Sequence, residues 1–98
     1  MLEILKSATF DAWLAGLKDR KGRAKIQARI DRLAAGNPGD VKPTGSGVSE
    51  MRVDFGPGYR VYYIQPDRSR ALLLCGGDKR TQDADIKAAV RMAAQWRK

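Results

Sequence analysis

The chain has 98 residues, 43% of them hydrophobic and 31% charged, which suits a globular domain with one modest core and excludes a disordered tail. No apolar run approaches the roughly 20 residues that span a bilayer, and the N-terminal Met-Leu-Glu-Ile-Leu-Lys has no basic stretch leading into a long apolar one, so a cytoplasmic protein without a signal peptide is expected. Nineteen basic against eleven acidic residues leave a net charge of +8, which points to a polyanionic partner, nucleic acid before acidic protein, and away from a membrane surface.

Residues 2–5, Leu-Glu-Ile-Leu, read as a short strand. Thr9 is placed to cap a helix whose apolar stripe is Phe10, Trp13, Leu14 and Leu17, at i, i+3, i+4 and i+7. Asp19–Gly22 reads as a break. A second helix is predicted from Lys21 or Arg23 to Ala35, with Ile26, Ile30, Leu33 and Ala34 facing the core. Lys21, Lys25, Arg29 and Arg32 fall within about 80° of one another on its other side, a ridge that either faces solvent or tracks phosphates.

Gly36-Asn37-Pro38-Gly39-Asp40 stops that helix, and residues 41–47, VKPTGSG, read as a loop. The period then changes. Met51, Val53 and Phe55 alternate with Glu50, Arg52 and Asp54, a half-buried strand. Gly56-Pro57-Gly58 is a turn, Tyr59–Gln65 a second strand, residues 66–69 another turn, and Ala71–Cys75 a continuously apolar strand. Thr81 opens a last helix with Asp83 and Asp85 in its first turn and Ile86, Ala89, Val90 and Ala93 as its core stripe. The order is β-α-α-β-β-β-α, a single α+β domain over residues 1–98 with helices expected on one face of a mostly antiparallel sheet.

Chemistry concentrates in residues 72–86, LLLCGGDKRTQDADI. Gly76 and Gly77 allow a sharp turn or a close ligand approach, and Asp78, Lys79 and Arg80 stand just before a helix N-terminus, where anions are favoured. In a meander, Arg52, Arg60, Lys79 and Arg80 can converge on one surface. Either they pair with neighbours such as Asp54 and Glu50, or they hold a phosphodiester. The chain has no histidine, which removes the commonest general base and metal ligand. Its one cysteine, Cys75, excludes a disulfide within the chain and reads as an inert core thiol.

The stretches GVSEMRVDFGPGYRVYY, LLLCGGDKRTQDADIKAA and WLAGLKDRKGRAKIQARIDRLAAGNPGDVKP together resemble the RelE/ParE superfamily of type II toxin–antitoxin toxins, in particular the HigB-like addiction module killer branch. The resemblance spans about residues 2–95. It implies a small antiparallel sheet packed against two N-terminal helices, with a C-terminal helix. It implies a ribosome-dependent endoribonuclease that cuts mRNA and inhibits translation, needs no metal or other cofactor, and is neutralised by a cognate antitoxin, a helix-turn-helix protein encoded next door. The alternative within the superfamily is a ParE-like inhibitor of DNA gyrase with no nuclease activity. By position, Arg60 corresponds to a strand arginine on the scissile phosphate, Arg80 to the arginine after the last core strand, and Lys79 to the branch's own Gly-Gly-Asp-Lys motif. Arg52 lies near lysines that serve as cations, and Lys42 is a basic loop position typical of the branch. One departure is clear: Ile86 falls where RelE-like nucleases carry a catalytic tyrosine. The general base is then left among Lys79, Lys42, Asp78 and Glu50, with Tyr62 placed to stack on a base or donate a proton. The ridge Lys21, Lys25, Arg29 and Arg32 would hold ribosomal RNA.

Overall fold

The structure, a computed structural model, describes residues 1–97. Strand β1, Glu3–Lys6, leads into helix α1, Ala8–Gly16. The cap is Ser7, not Thr9. Its Oγ accepts from the Phe10 amide at 2.9 Å and donates to the Leu74 carbonyl at 2.6 Å, so one hydroxyl both starts the helix and fastens it to a distant strand. Helix α2, Arg20–Ala34, is capped by Asp19, whose Oδ1 accepts from the Gly22 amide at 2.9 Å while its Oδ2 accepts from the Tyr59 hydroxyl at 2.7 Å. Ile26, Ile30 and Leu33 carry its buried face.

Residues 41–47 are not a loop. Strand β2, Val41–Gly45, forms a hairpin with β3, Val48–Val53, and Gly45, Ser46 and Gly47 turn the corner at φ of 100°, 56° and 77°. Two glycines take the left-handed backbone that this corner needs. Strands β4, Tyr59–Asp67, and β5, Arg70–Gly77, complete the sheet. A 3-10 turn, Lys79–Thr81, leads into helix α3, Gln82–Trp96. The sheet order is β1-β5-β4-β3-β2, antiparallel throughout except that β1 runs parallel to β5.

The sheet is covered on both faces, not one. Phe10, Ile26, Ile30 and Leu33 of α1 and α2 pack on Met51, Val53, Val61, Tyr63 and Leu73. Ala89 and Ala93 of α3 pack on Tyr62, Ile64, Leu72 and Leu74 on the other side. Strand residues that alternate away from the first core therefore enter a second one. The register shift between Tyr62 and Tyr63, opposite Cys75 and Leu73, lets β5 present both Leu74 and Cys75 to that second core.

Candidate functional site

Strand register builds the site. Arg52 of β3 stands opposite Arg60 of β4, which stands opposite Gly77 of β5, one row across three strands. The first turn of α3 sits over Gly77, while the two arginines beside it remain half-exposed. Lys79 reaches the same place from the 3-10 turn and packs on the β3–β4 turn, where a Cβ on Gly58 would lie 3.5 Å from the Lys79 Cβ. Arg52, Arg60 and Lys79 thus line one open hollow of about 400 Å³, together with Asp40, Asp54 and the Gly56–Gly58 turn. The Nε of Arg60 is buried and has no hydrogen-bond partner among the described residues. A buried donor left unmatched costs about 1–3 kcal/mol, a cost that Arg60 shares with the Nε atoms of Arg23 and Arg29.

Directly beneath lies a carboxylate that alternation places at the surface. Glu50 is only 1% exposed. Gln82 Nε2 donates to its Oε2 at 2.8 Å, the Tyr62 hydroxyl donates to the same oxygen at 3.0 Å, and Arg52 Nε donates to Oε1 at 3.3 Å. Burial pushes the Glu50 carboxyl up, but these three donors and the nearby Arg60 charge outweigh it and hold the group below its ordinary value. Tyr62 shifts the other way: burial, then the Glu50 charge, raises its phenol strongly. Tyr62 is 0% exposed, so it offers no face on which a base could stack. Its ring fills the α3-side core and its hydroxyl serves Glu50.

The Gly-Gly-Asp-Lys-Arg corner is also built differently from a phosphate cradle. A Cβ on Gly76 would lie 2.3 Å from the Trp13 ring, and one on Gly77 would lie 1.8 Å from Asp85 Oδ2 and 2.8 Å from Thr81 Oγ1. Both glycines are strand residues that make room for packing groups. The helix start is filled by its own acids: Asp78 Oδ1 accepts from the Arg80 amide at 2.9 Å, and Asp85 Oδ2 accepts from the Thr81 hydroxyl at 2.6 Å. Arg80 does not join the hollow. Its side chain is 83% exposed and pairs with Asp78 at 3.2 Å, and that hydrogen bond is the chief reason the Asp78 carboxyl is lowered.

The ridge of α2 divides. Lys21, Lys25 and Arg32 are exposed. Lys25 Nζ sits 5.9 Å over the Phe55 ring, and Lys25 and Arg32 line a second hollow of about 330 Å³ that shares Val53 and Asp54 with the first. Arg29 instead turns inward. Its Nη1 donates to the Arg52 carbonyl, and its Nη2 donates to the carbonyls of Pro38 at 2.9 Å and Asp40 at 3.3 Å. It is a clamp on the wall of the hollow. Lys42 is exposed on edge strand β2, in register with Glu50 and one strand away from the hollow. Ile86 is half-buried against the α3-side core. Cys75 is buried, and burial, then the Asp85 charge, pushes its thiol up to about 11. Sequence reasoning offered Asp54 and Glu50 as pairing partners of the arginines, and Arg52 does pair with Glu50; it did not place Asp40 at the hollow, nor Gln82 beside Glu50, which becomes visible only through the α3-to-β3 contact. Among the described residues no cluster of three His, Cys, Asp or Glu side chains is placed to hold a metal ion, and no helix is long and apolar enough to cross a membrane.

A family model for a phage-derived Gp49-like protein (DUF891) matches residues 12–98. An uncharacterized protein of Haemophilus influenzae is 49% identical over 94 residues, covering 96% of this chain and 95% of its own length. The match includes the hairpin, the hollow and all of α3, and the chain accordingly belongs to the phage-derived Gp49-like family, a toxin-like family of the RelE/HigB type.

Proposed function

We propose that the chain is the toxin of a type II toxin–antitoxin pair and that it cleaves mRNA on the ribosome without a metal. One observation carries the reading: Arg52, Arg60 and Lys79, from two strands and the turn before α3, line a single open hollow. RNA brings its own nucleophile. Removal of the 2′-hydroxyl proton lets the 2′-oxygen attack phosphorus, the bond to the 5′-oxygen breaks, and that oxygen takes a proton. The products are a 2′,3′-cyclic phosphate and a 5′-hydroxyl. Negative charge accumulates on the phosphoryl oxygens midway, and fixed guanidinium groups stabilise it by about 3–4 kcal/mol for a well-placed donor.

Glu50 is sealed in and saturated with donors, so it is unsuited to take the proton. Asp40 and Asp54 line the hollow with Lys79, and this reading assigns proton removal to one of those carboxylates and the leaving oxygen to the Lys79 cation. Such weak groups favour a reaction in which the ribosome supplies the in-line geometry. The exposed Lys21, Lys25 and Arg32 then face ribosomal RNA, and a cognate antitoxin encoded alongside neutralises the toxin.

The test is induced expression followed by mapping of mRNA 5′ ends. Wild type is expected to generate new ends within coding regions, and Arg60→Ala and Lys79→Ala to lower them by about 10²–10³-fold. Growth arrest with intact mRNA and trapped DNA gyrase would refute this reading in favour of gyrase inhibition.

A further inference from the structure

Glu50 is an anomaly for the chemistry just described. A carboxylate 1% exposed in a 98-residue protein is costly unless it is fully partnered. It has three partners from three elements: Arg52 on its own strand, Tyr62 on β4 and Gln82 in the first turn of α3. The bond to Arg52 uses Nε alone. It fixes the guanidinium by its inner edge and leaves the two terminal nitrogens for the hollow, where no described residue accepts from them. The bond to Gln82 ties down the helix three residues after Lys79. A single buried charge therefore sets two of the three cations.

We propose that Glu50 is a positioning residue: it orients the Arg52 guanidinium and anchors the start of α3, so that the hollow presents a preformed cation pair to a phosphodiester. Tyr62 and Gln82 complete it. Each holds the Glu50 oxygen that Arg52 does not use, which prevents the carboxylate from rotating away. This inference rests on the nuclease reading only for its catalytic readout; the prearranged arginine is equally visible in binding of an RNA phosphate.

The experiment is a double-mutant cycle on the full chain, with Glu50→Gln, Arg52→Ala and the pair. It is read by ribosome-dependent mRNA cleavage and by fluorescence anisotropy with a 12-nucleotide RNA carrying a 2′-deoxy group at the cleavage position. Misplacing a reacting group by about 1 Å can cost on the order of 10²-fold, so Glu50→Gln should lower cleavage by about 10- to 100-fold. The double variant should lose clearly less than the product of the two single losses, because the part of the Glu50 effect that acts through Arg52 has nothing to position once Arg52 is gone and only the anchor on α3 remains. Gln82→Ala, at a half-exposed site, should show a smaller loss with the same non-additivity, and thermal unfolding of each variant separates misfolding from lost positioning. Multiplicative losses, or full cleavage and binding in both single variants of the Glu50 network, overturn the proposal. If wild type binds the RNA and does not cleave, the nuclease reading fails and the binding cycle alone decides the role of Glu50. If wild type binds no RNA at all, both fail.

Discussion

Gly77→Ala separates packing from ligand approach at the Gly-Gly corner. The added Cβ would sit 1.8 Å from Asp85 Oδ2, 2.8 Å from Asp85 Cγ and 2.8 Å from Thr81 Oγ1. Asp85 must swing away, which breaks its 2.6 Å bond from the Thr81 hydroxyl. Losing a hydrogen bond to a charged group costs about 1.5–3 kcal/mol, in line with overpacking a filled site at about 1–3 kcal/mol. A loss of about 2 kcal/mol lowers the melting temperature of a domain this size by roughly 8–16 °C. Gly76→Ala, which drives a Cβ to 2.3 Å from the Trp13 ring, should fall in the same range. Gly16 is the control: nothing lies within 4 Å of its Cβ position, so Gly16→Ala should be neutral or stabilising by about 0.5 kcal/mol. The assay is thermal unfolding by circular dichroism, with RNA binding measured on the same samples. A Gly77→Ala protein that melts within about 2 °C of wild type but no longer binds RNA would refute the packing account and restore a ligand-approach role.

Arg29→Ala should cost about 1.5–3 kcal/mol because three carbonyls lose a charged donor, whereas Lys25→Ala and Arg32→Ala should leave the melting temperature nearly unchanged; urea unfolding checks both. Removing Lys25 and Arg32 together should make RNA or ribosome binding less salt-dependent, by about 0.7 in the log–log slope for each single-strand phosphate no longer neutralised, while an unchanged slope places RNA elsewhere. Toward acid, Asp19 (lowered chiefly by the Gly22 amide), Asp67 (held at about 2, first by the Ser69 hydroxyl) and Asp78 all bind protons less readily folded than unfolded, as does Glu50. Their contribution is present above an unfolded value of about 4 and is lost as pH falls through the lower folded values, so stability should decline steadily below pH 4 in a denaturation series. Toward base, the hydrogen bond to Asp19 raises Tyr59 to about 12, so its contribution is complete below pH 10 and is lost as pH climbs toward 12.

Much of the fold was legible because helix and strand periods differ. The α2 stripe Ile26, Ile30 and Leu33 and the β3 alternation Met51 and Val53 both meet the same core. Strand β2 was hidden by its composition. Pro43 and Gly45 read as loop residues, yet a proline is tolerated on an edge strand, where no outer neighbour needs its missing N–H. The burial of Glu50 was missed because alternation was read against one covered face. The stripe Ile86, Ala89, Val90 and Ala93 on the last helix also needed a face to cover, and Tyr62 shares the strand face of Glu50. Convergence of Arg52, Arg60 and Lys79 followed from the meander. The inward turn of Arg29 did not, since helical angle alone cannot tell a guanidinium that meets solvent from one that reaches backbone carbonyls.

The parallel pairing of β1 with β5 has a consequence for how the protein is born. Glu3 finds its partner at Arg70 and Ser7 finds its acceptor at Leu74, so β1 must wait for β5. Contacts so far apart in sequence form slowly. A nascent chain that stops short of β5 has no neighbour for its N-terminal strand and no third strand beside Arg60. The basic hollow therefore forms only once β5 has been made, and fragments that stop before β5 should lack it.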